Sequence, residues 1–304
     1  MKLSRRRMLG TAAILPLSSV FAHAAEQESS AIVVDTHLHC FGGQDVRFPY
    51  HARAPYRPQA KATPQHLLKC MDDADVDFAV VVHPEPYQDD HRYLEYCLDV
   101  GGARLKGTCL FFADRPGSVA QMAPLVERNP GRIVAARLHA YAPDRLPPFG
   151  TKQLRDLWQT ASELNLAMQL HFEPRYAPAL EPLIKEFRDT TVIIDHLGRP
   201  MQGTIKEHDV VVRWSRFPNT VIKVSAIPNQ NSYPHRDVMP VIRKLTAAFG
   251  AERMIYGGGF KAAATGQSYR DYRRHVAELL SDLSSAERDK ILGGTAAKLC
   301  GFTR

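Results

Sequence analysis

The chain alternates two kinds of segment eight times, and this alternation restricts its fold more than any other feature. Apolar runs rich in β-branched residues cover 32–36, 77–83, 106–112, 132–139, 166–172, 191–196, 220–225 and 253–257, and they tend to close on polar residues. Between them lie stretches with helical spacing at 63–74, 89–100, 118–128, 151–164, 177–187, 207–216 and 236–249, then 269–283 and 286–299. Thr63-Pro64, and Ser284 with Glu287, read as helix starts. Strands joined by helices pair in parallel, and eight such units close into a (β/α)8 TIM barrel, an α/β fold. An open doubly wound sheet is the competing arrangement. It would usually carry a Gly-rich phosphate turn after its first strand, where this chain has histidines.

The first residues stand outside that pattern. Met1-Lys2-Leu3-Ser4-Arg5-Arg6-Arg7 is a basic start, followed by an apolar run to Phe21 and then Ala22-His23-Ala24. Residues 1–24 therefore read as a signal peptide of the twin-arginine type, cleaved after Ala24, and the mature protein is expected in the periplasm. A membrane anchor fits less well, because the run is short and interrupted by Pro16, so no stable membrane insertion is expected after cleavage. Removing Lys2, Arg5, Arg6 and Arg7 takes the basic residues from 39 to 35 against 32 acids, a mature charge of about +3. So small an excess gives no reason to expect a nucleic-acid partner. No repeat, low-complexity tract or linker divides residues 31–304, and residues 25–304 read as one domain. Five cysteines without a close C-x-x-C pair argue against a disulfide framework.

Polar residues concentrate where the strands end, and in a barrel of this kind those ends form the active-site face. Strand one closes on Asp35-Thr36-His37-Leu38-His39, whose alternation predicts that Asp35, His37 and His39 share a face. Two imidazoles side by side suit a metal pocket, with plain packing as the other reading. Strand two ends in His83 and Glu85, strand four in Arg137 and His139, strand five in His171 and Glu173. Strand six ends in Asp195 and His196, strand seven in Lys223 and Ser225. Burying unpaired charge is costly, so six strands ending this way point to a site. Residues 41–61, rich in Pro, Arg and Tyr, form a long first loop expected to lie over the barrel mouth. Cys40 falls on the opposite parity from His39 and is not expected to be a nucleophile or ligand.

The D-T-H-L-H run, His171, the Ile194-Asp-His-Leu-Gly-Arg-Pro200 block and the stretch Ile291-Leu-Gly-Gly-Thr-Ala-Ala-Lys-Leu-Cys-Gly301 resemble the amidohydrolase-related family of metal-dependent TIM-barrel hydrolases. That family includes lactonases and decarboxylases. The resemblance implies His37, His39 and His171 as ligands of a divalent metal, zinc by the chemistry of the donors, and His196 as the histidine that polarises the substrate or shuttles a proton. Three imidazoles leave an open position on such an ion, where bound water has a pKa of about 7 and attacks an ester carbonyl. Arg137, His139, Lys223 and His83 are the candidate substrate-binding residues for a small carboxylated or polyhydroxylated molecule. Structural ion pairs of Arg137 and Lys223 with Asp35 or Glu173 are the alternative.

The pattern breaks after strand eight. The family carries an aspartate there, as ligand or base, whereas this chain reads Tyr256-Gly257-Gly258-Gly259-Phe260, with Gly259 in the aspartate position; Thr295 likewise stands where the family has asparagine. Three readings follow: another carboxylate, Glu173 or Asp35, supplies the base; metal hydroxide and His196 suffice for an activated lactone, a metal-free histidine site being the fallback; or the barrel binds a small molecule without turning it over. The expectation carried forward is an exported lactonase-like hydrolase with His196 and Glu173 catalytic, against a decarboxylase or a binding barrel. Oligomeric state is not readable from the sequence.

Overall fold

The computed structural model describes residues 31–304 apart from Asn229, Gln230, Ser232 and His235. The leader read at 1–24 lies outside the described residues. Eight strands form one sheet in chain order: β1 (Val34–Leu38), β2 (Phe78–Val82), β3 (Leu105–Leu110), β4 (Ile133–Ala140), β5 (Ala167–Phe172), β6 (Val192–Ile194), β7 (Thr220–Val224) and β8 (Met254–Tyr256). Each pairs with the next in parallel. The helices are α1 (Pro64–Asp73), α2 (Arg92–Gly101), α3 (Met122–Arg128), α4 (Lys152–Glu163), α5 (Ala177–Glu186), α6 (Ile205–Arg213), α7 (Met239–Phe249), α8 (Gly266–Leu279), α9 (Ser285–Asp289) and α10 (Thr295–Cys300). This is the expected (β/α)8 barrel.

Local chemistry accounts for the helix boundaries. Thr63, Thr151, Thr204, Thr265 and Ser284 each cap a helix by accepting a backbone N–H in its first turn. Such a cap stabilises a helix by about 1 kcal/mol. In α4 the buried positions are Leu154, Leu157, Trp158 and Ala161, the i, i+3, i+4, i+7 stripe that turns one face to the sheet. Among the described residues no helix is long and apolar enough to cross a membrane. All five cysteines are buried thiols.

The barrel interior is apolar at its lower end. Val34, Phe78, Val80, Ala135, Ala167, Ile193, Val221 and Ile255 pack there on Ala296, Ala297, Cys300 and Phe302, so the end of the chain plugs the base. The helix predicted over 286–299 is not continuous. Between α9 and α10 it widens into an i→i+5 turn at Lys290–Gly294. Gly293 explains the position: a Cβ there would lie 1.7 Å from the carbonyl oxygen of Ile32, so only glycine lets the segment press on the entry to β1.

Candidate active site

β1 does not keep its alternation. Its register against β2 shifts between Asp35 and Leu38, and the extra residue reverses the parity. Asp35 therefore points away from the barrel interior, contrary to the expected shared face with His37. Its carboxylate accepts hydrogen bonds from the backbone N–H of His37 (2.9 Å), Gly258 (2.8 Å) and Gly259 (3.0 Å) and from the Tyr269 hydroxyl (2.7 Å). Thr36 Oγ1 donates to the Tyr256 carbonyl at 2.6 Å. These bonds join β1 to the end of β8 and close the barrel seam. Burial pushes the Asp35 carboxyl up, against its four donors. Asp35 is thus a structural staple and not a base in the cavity.

Past the shift, the imidazoles line up around the upper rim. Ring centroids are separated by 5.1 Å from His39 to His37, 4.4 Å from His37 to His196, 5.1 Å from His196 to His171 and 5.2 Å from His171 to His139. Burial pulls His39 and His196 down to about 3 and holds His37, His139 and His171 below the usual imidazole range, so the arc is uncharged at neutral pH. Hydrogen bonds fix two of the tautomers. His39 Nδ1 lies 2.7 Å from the Val82 carbonyl, which can only accept, so Nδ1 carries the proton and Nε2 a lone pair. Arg199 can only donate, so His171 Nε2, 3.0 Å from its Nη1, is the acceptor. That lone pair accepts from Arg199, and among the described residues the converging set of possible ligand atoms does not include His171, expected as the third metal ligand.

Asp195 sits beneath the arc, fully buried. Arg137 Nε and Nη2 reach its Oδ2 at 3.1 and 2.9 Å, Gln169 Nε2 reaches the same oxygen at 3.0 Å, and Lys223 Nζ lies 3.1 Å from Oδ1. Burial alone would raise this carboxyl; Lys223, His37 and Arg137 outweigh it and hold it well below the usual range. Arg137 and Lys223 are therefore engaged by Asp195, and not by Asp35 or Glu173. Having spent their charge on the floor, they do not present the free cations a substrate carboxylate would need. Lys223 Nζ also lies 3.0 Å from the Thr36 carbonyl oxygen and 3.4 Å from His37 Nδ1.

Two other expected residues are engaged by neighbours of their own. His83 follows a strand in which Phe78 and Val80 point inward, so its parity is outward; it is fully buried, packs its ring against His91 at a tilt with centroids 4.2 Å apart and has Nε2 2.9 Å from the Gln88 carbonyl. Glu173 pairs with Arg175, a partner that competes with the replacement-base role expected of it. His139 does line a cavity, with Nδ1 3.0 Å from Glu85. Glu85 also accepts from Tyr141 (2.5 Å) and Arg145 (3.0 Å), and these partners overcome its burial to hold it at about 2. Tyr141 in turn stacks on His171 at 4.6 Å, with the Arg199 guanidinium 5.2 Å from its ring centroid.

The aspartate slot after β8 is filled by other side chains. A Cβ on Gly259 would lie 2.1 Å from the Tyr269 ring, and one on Gly257 would lie 2.7 Å from the His37 nitrogen. Glycine here lets Tyr269 reach Asp35 and lets β8 approach His37. A second backbone departure follows β6, where φ is 56° at His196, 57° at Leu197, 68° at Gly198 and 54° at Arg199. For the three non-glycine residues this left-handed conformation costs about 1–2 kcal/mol each. It carries His196 to the boundary of two cavities. One, of about 410 Å³, is lined by His37, His39, Phe41, Gly258 and Phe260 together with Pro58 and Ala60 of the first loop; the other, of about 220 Å³, by His171, Arg199, Met201 and Tyr233. The loop thus lies over the mouth, as expected, and its base is tied by the mutual Phe41 and Ala62 backbone bonds at 2.9 Å.

Among the described residues, His37, Asp195 and His196 each offer a ligand atom, all within 4.8 Å of one another. Neutral imidazoles and an ionised carboxylate are fitting donors for a divalent ion, and Asp195 Oδ1 is a buried oxygen without a hydrogen bond of good geometry. This set differs from the expected His37, His39 and His171. Asp195, Gln169, Ser225, Tyr141 and Arg199 had no assigned role in the sequence reading. For Asp195 the signal was present: it directly precedes His196 and shares the inward parity of Ile193.

Comparison with known proteins agrees with this architecture. An L-fucono-1,5-lactonase of Burkholderia ambifaria is 28% identical over 268 residues, 79% of this chain and 84% of its own. A probable 2-pyrone-4,6-dicarboxylic acid hydrolase of Acinetobacter baumannii, solved with citric acid bound, superposes with a TM-score of 0.70 at 21% identity, over 89% of this chain and 99% of that one. A zinc-bound amidohydrolase of Burkholderia multivorans gives 0.68 at 17% identity, over 90% of this chain and all (100%) of the other. The amidohydrolase family profile matches residues 34–302, nearly the whole described barrel. This protein belongs to the amidohydrolase family and is a hydrolase built on a TIM barrel.

Proposed function

We propose that the protein is a lactonase, opening a lactone or related ester of a small polar or carboxylated molecule, and that it works in the periplasm after export by its twin-arginine leader. The observation that carries this reading is the arc of uncharged imidazoles over the buried Asp195, with His196 between two cavities. The lactonase likeness at 28% identity supports it. His37, Asp195 and His196 are the residues that would hold a divalent ion, of the zinc type by their donor chemistry. Such an ion, when bound, polarises a carbonyl and acidifies water.

The remaining work falls to the chain's own groups. His39 Nε2, fixed as a lone pair by the Val82 carbonyl, accepts the proton of the attacking water as the new C–O bond forms. The ring C–O bond then breaks and its oxygen takes a proton, leaving a hydroxy acid. Arg199 holds the substrate's oxygen-rich end in the smaller cavity, Ser225 Oγ fixes His196 from 2.8 Å, and the first loop limits water entry. His39 and His196 thus exchange the roles first expected of them. The hydroxy acid ionises, so turnover releases one proton that a pH-stat reads. Neutral aldonolactones and carboxylated pyrone lactones should both be tried, with His39→Ala and His196→Ala each expected to lose about 10²–10⁴-fold in rate. No proton release from either class would remove the lactonase reading, and a wild-type rate in His39→Ala would remove that residue as base. Metal analysis should show about one equivalent in the wild type and a large loss in His37→Ala.

A further inference from the structure

The left-handed turn at 196–199 places two cavity residues, and something outside the cavity must hold it, because such backbone persists only where its surroundings over-determine it. Two bonds close the turn internally: Gly198 N–H to the Asp195 carbonyl (2.9 Å) and Arg199 N–H to the His196 carbonyl (2.8 Å). The Leu197 carbonyl is left pointing outward, and His208 of α6 meets it with Nε2 at 2.7 Å. His208 is buried on the inner face of α6, beside Val211. Val211 packs on the same turn: a Cβ added to Gly198 would lie 2.5 Å from its Cγ1. A carbonyl only accepts, so Nε2 of His208 carries the proton, and burial keeps the ring neutral by lowering its pKa.

We infer that His208 is a positioning residue: its hydrogen bond to Leu197 clamps the turn that holds His196 and Arg199 at the boundary of the two cavities. It touches neither substrate nor the reacting atoms. The activity arm of the test rests on the lactonase reading; a second arm does not. His208→Gln keeps a donor of similar reach, whereas His208→Leu keeps the bulk and removes the donor. His208→Leu is expected to lose about 10- to 100-fold in kcat, the scale of a misplacement near 1 Å, while His208→Gln stays within about threefold of wild type. A merely structural role would lower the melting temperature of both without separating them in kcat.

The independent arm is NMR of the histidine ring nitrogens in the full chain, where the His196 and His171 signals should move in His208→Leu and return toward wild type in His208→Gln. If no lactone is turned over by the wild type, the functional reading fails and the ring signals alone decide the inference. Unchanged His196 and His171 signals in His208→Leu would overturn it. So would a His208→Gln variant as impaired as His208→Leu. Should His208→Leu not accumulate as soluble protein, His208→Asn, polar but too short to reach Leu197, takes its place under the same criteria.

Discussion

Asp35 and Asp195 are the same residue type, both fully buried, and their pKa values are shifted in opposite directions. Asp35, in the β1–β8 seam, meets only neutral donors, and burial wins, raising its pKa. Asp195, in the barrel floor, meets the cations Lys223 and Arg137 with the His37 ring beside them, and these partners outweigh burial and lower it. Burial by itself does not set the direction in which a carboxylate's pKa moves; the formal charge of its neighbours does. The difference divides the labour of the barrel. Neutral donors make Asp35 a fastener, whereas the ionised Asp195 balances two buried cations under the imidazole arc.

The largest effect on this comparison is expected from Asp195→Asn, which leaves Arg137 and Lys223 buried without their counter-charge. About 3–5 kcal/mol of unfolding free energy should be lost in urea titration, a large share of a typical domain's stability. Adding Lys223→Met should recover part of it. Independent, additive losses would show that the two residues are not a pair. Gly259→Asp restores the aspartate usual in the family, but its Cβ meets the Tyr269 ring and its carboxylate arrives near Asp35. We expect a loss of about 1–3 kcal/mol or more and no gain in rate; a faster enzyme would contradict the packing described for the seam.

Asp35→Asn keeps the shape and replaces one accepting oxygen by a donor, leaving some of the four seam donors unmatched, for a loss of about 1–3 kcal/mol by the same titration.

The smallest effect is a pH slope. His83 and His91 lie away from the cavity, and burial lowers both, His91 to about 3, whereas an unfolded histidine titrates near the ordinary 6.5. The unfolded chain therefore binds more protons between those values, and stability should fall as pH drops from about 6.5 toward about 3. Asp35, with a raised pKa, works in the opposite sense, gaining stability as pH falls through its native value. Asp35→Asn should consequently steepen the acid loss, and an unchanged slope would refute its raised pKa.

Much of the architecture was legible because it repeats. Eight apolar runs and the helix starts at Thr63 and Ser284 needed only local pattern, and His37, His39, His139, His171 and His196 do face one rim. What stayed hidden depends on single-residue shifts or distant pairing. One extra residue in β1 reversed the side of Asp35, which alternation alone assigns wrongly. Arg137 and Lys223 meet Asp195 across strands, at separations where sequence spacing carries no geometric information. The left-handed turn at 196–199 lies in non-glycine residues, where propensity argues against it. Gly259 read as a lost function, but Tyr269, ten residues on, occupies its place.

The plug at the base of the barrel has a consequence for synthesis. β1 is held at one edge by β2, but its other edge and the floor beneath it wait for β8, Gly293 and Phe302. At ordinary elongation rates of about 5–20 residues per second the ribosome needs roughly 13–53 s to travel from the first strand to the last helix. Throughout that interval the nascent chain presents an open sheet edge and the apolar residues of the lower barrel. The finished protein conceals both, so its aggregation hazard belongs to its making rather than to its native state.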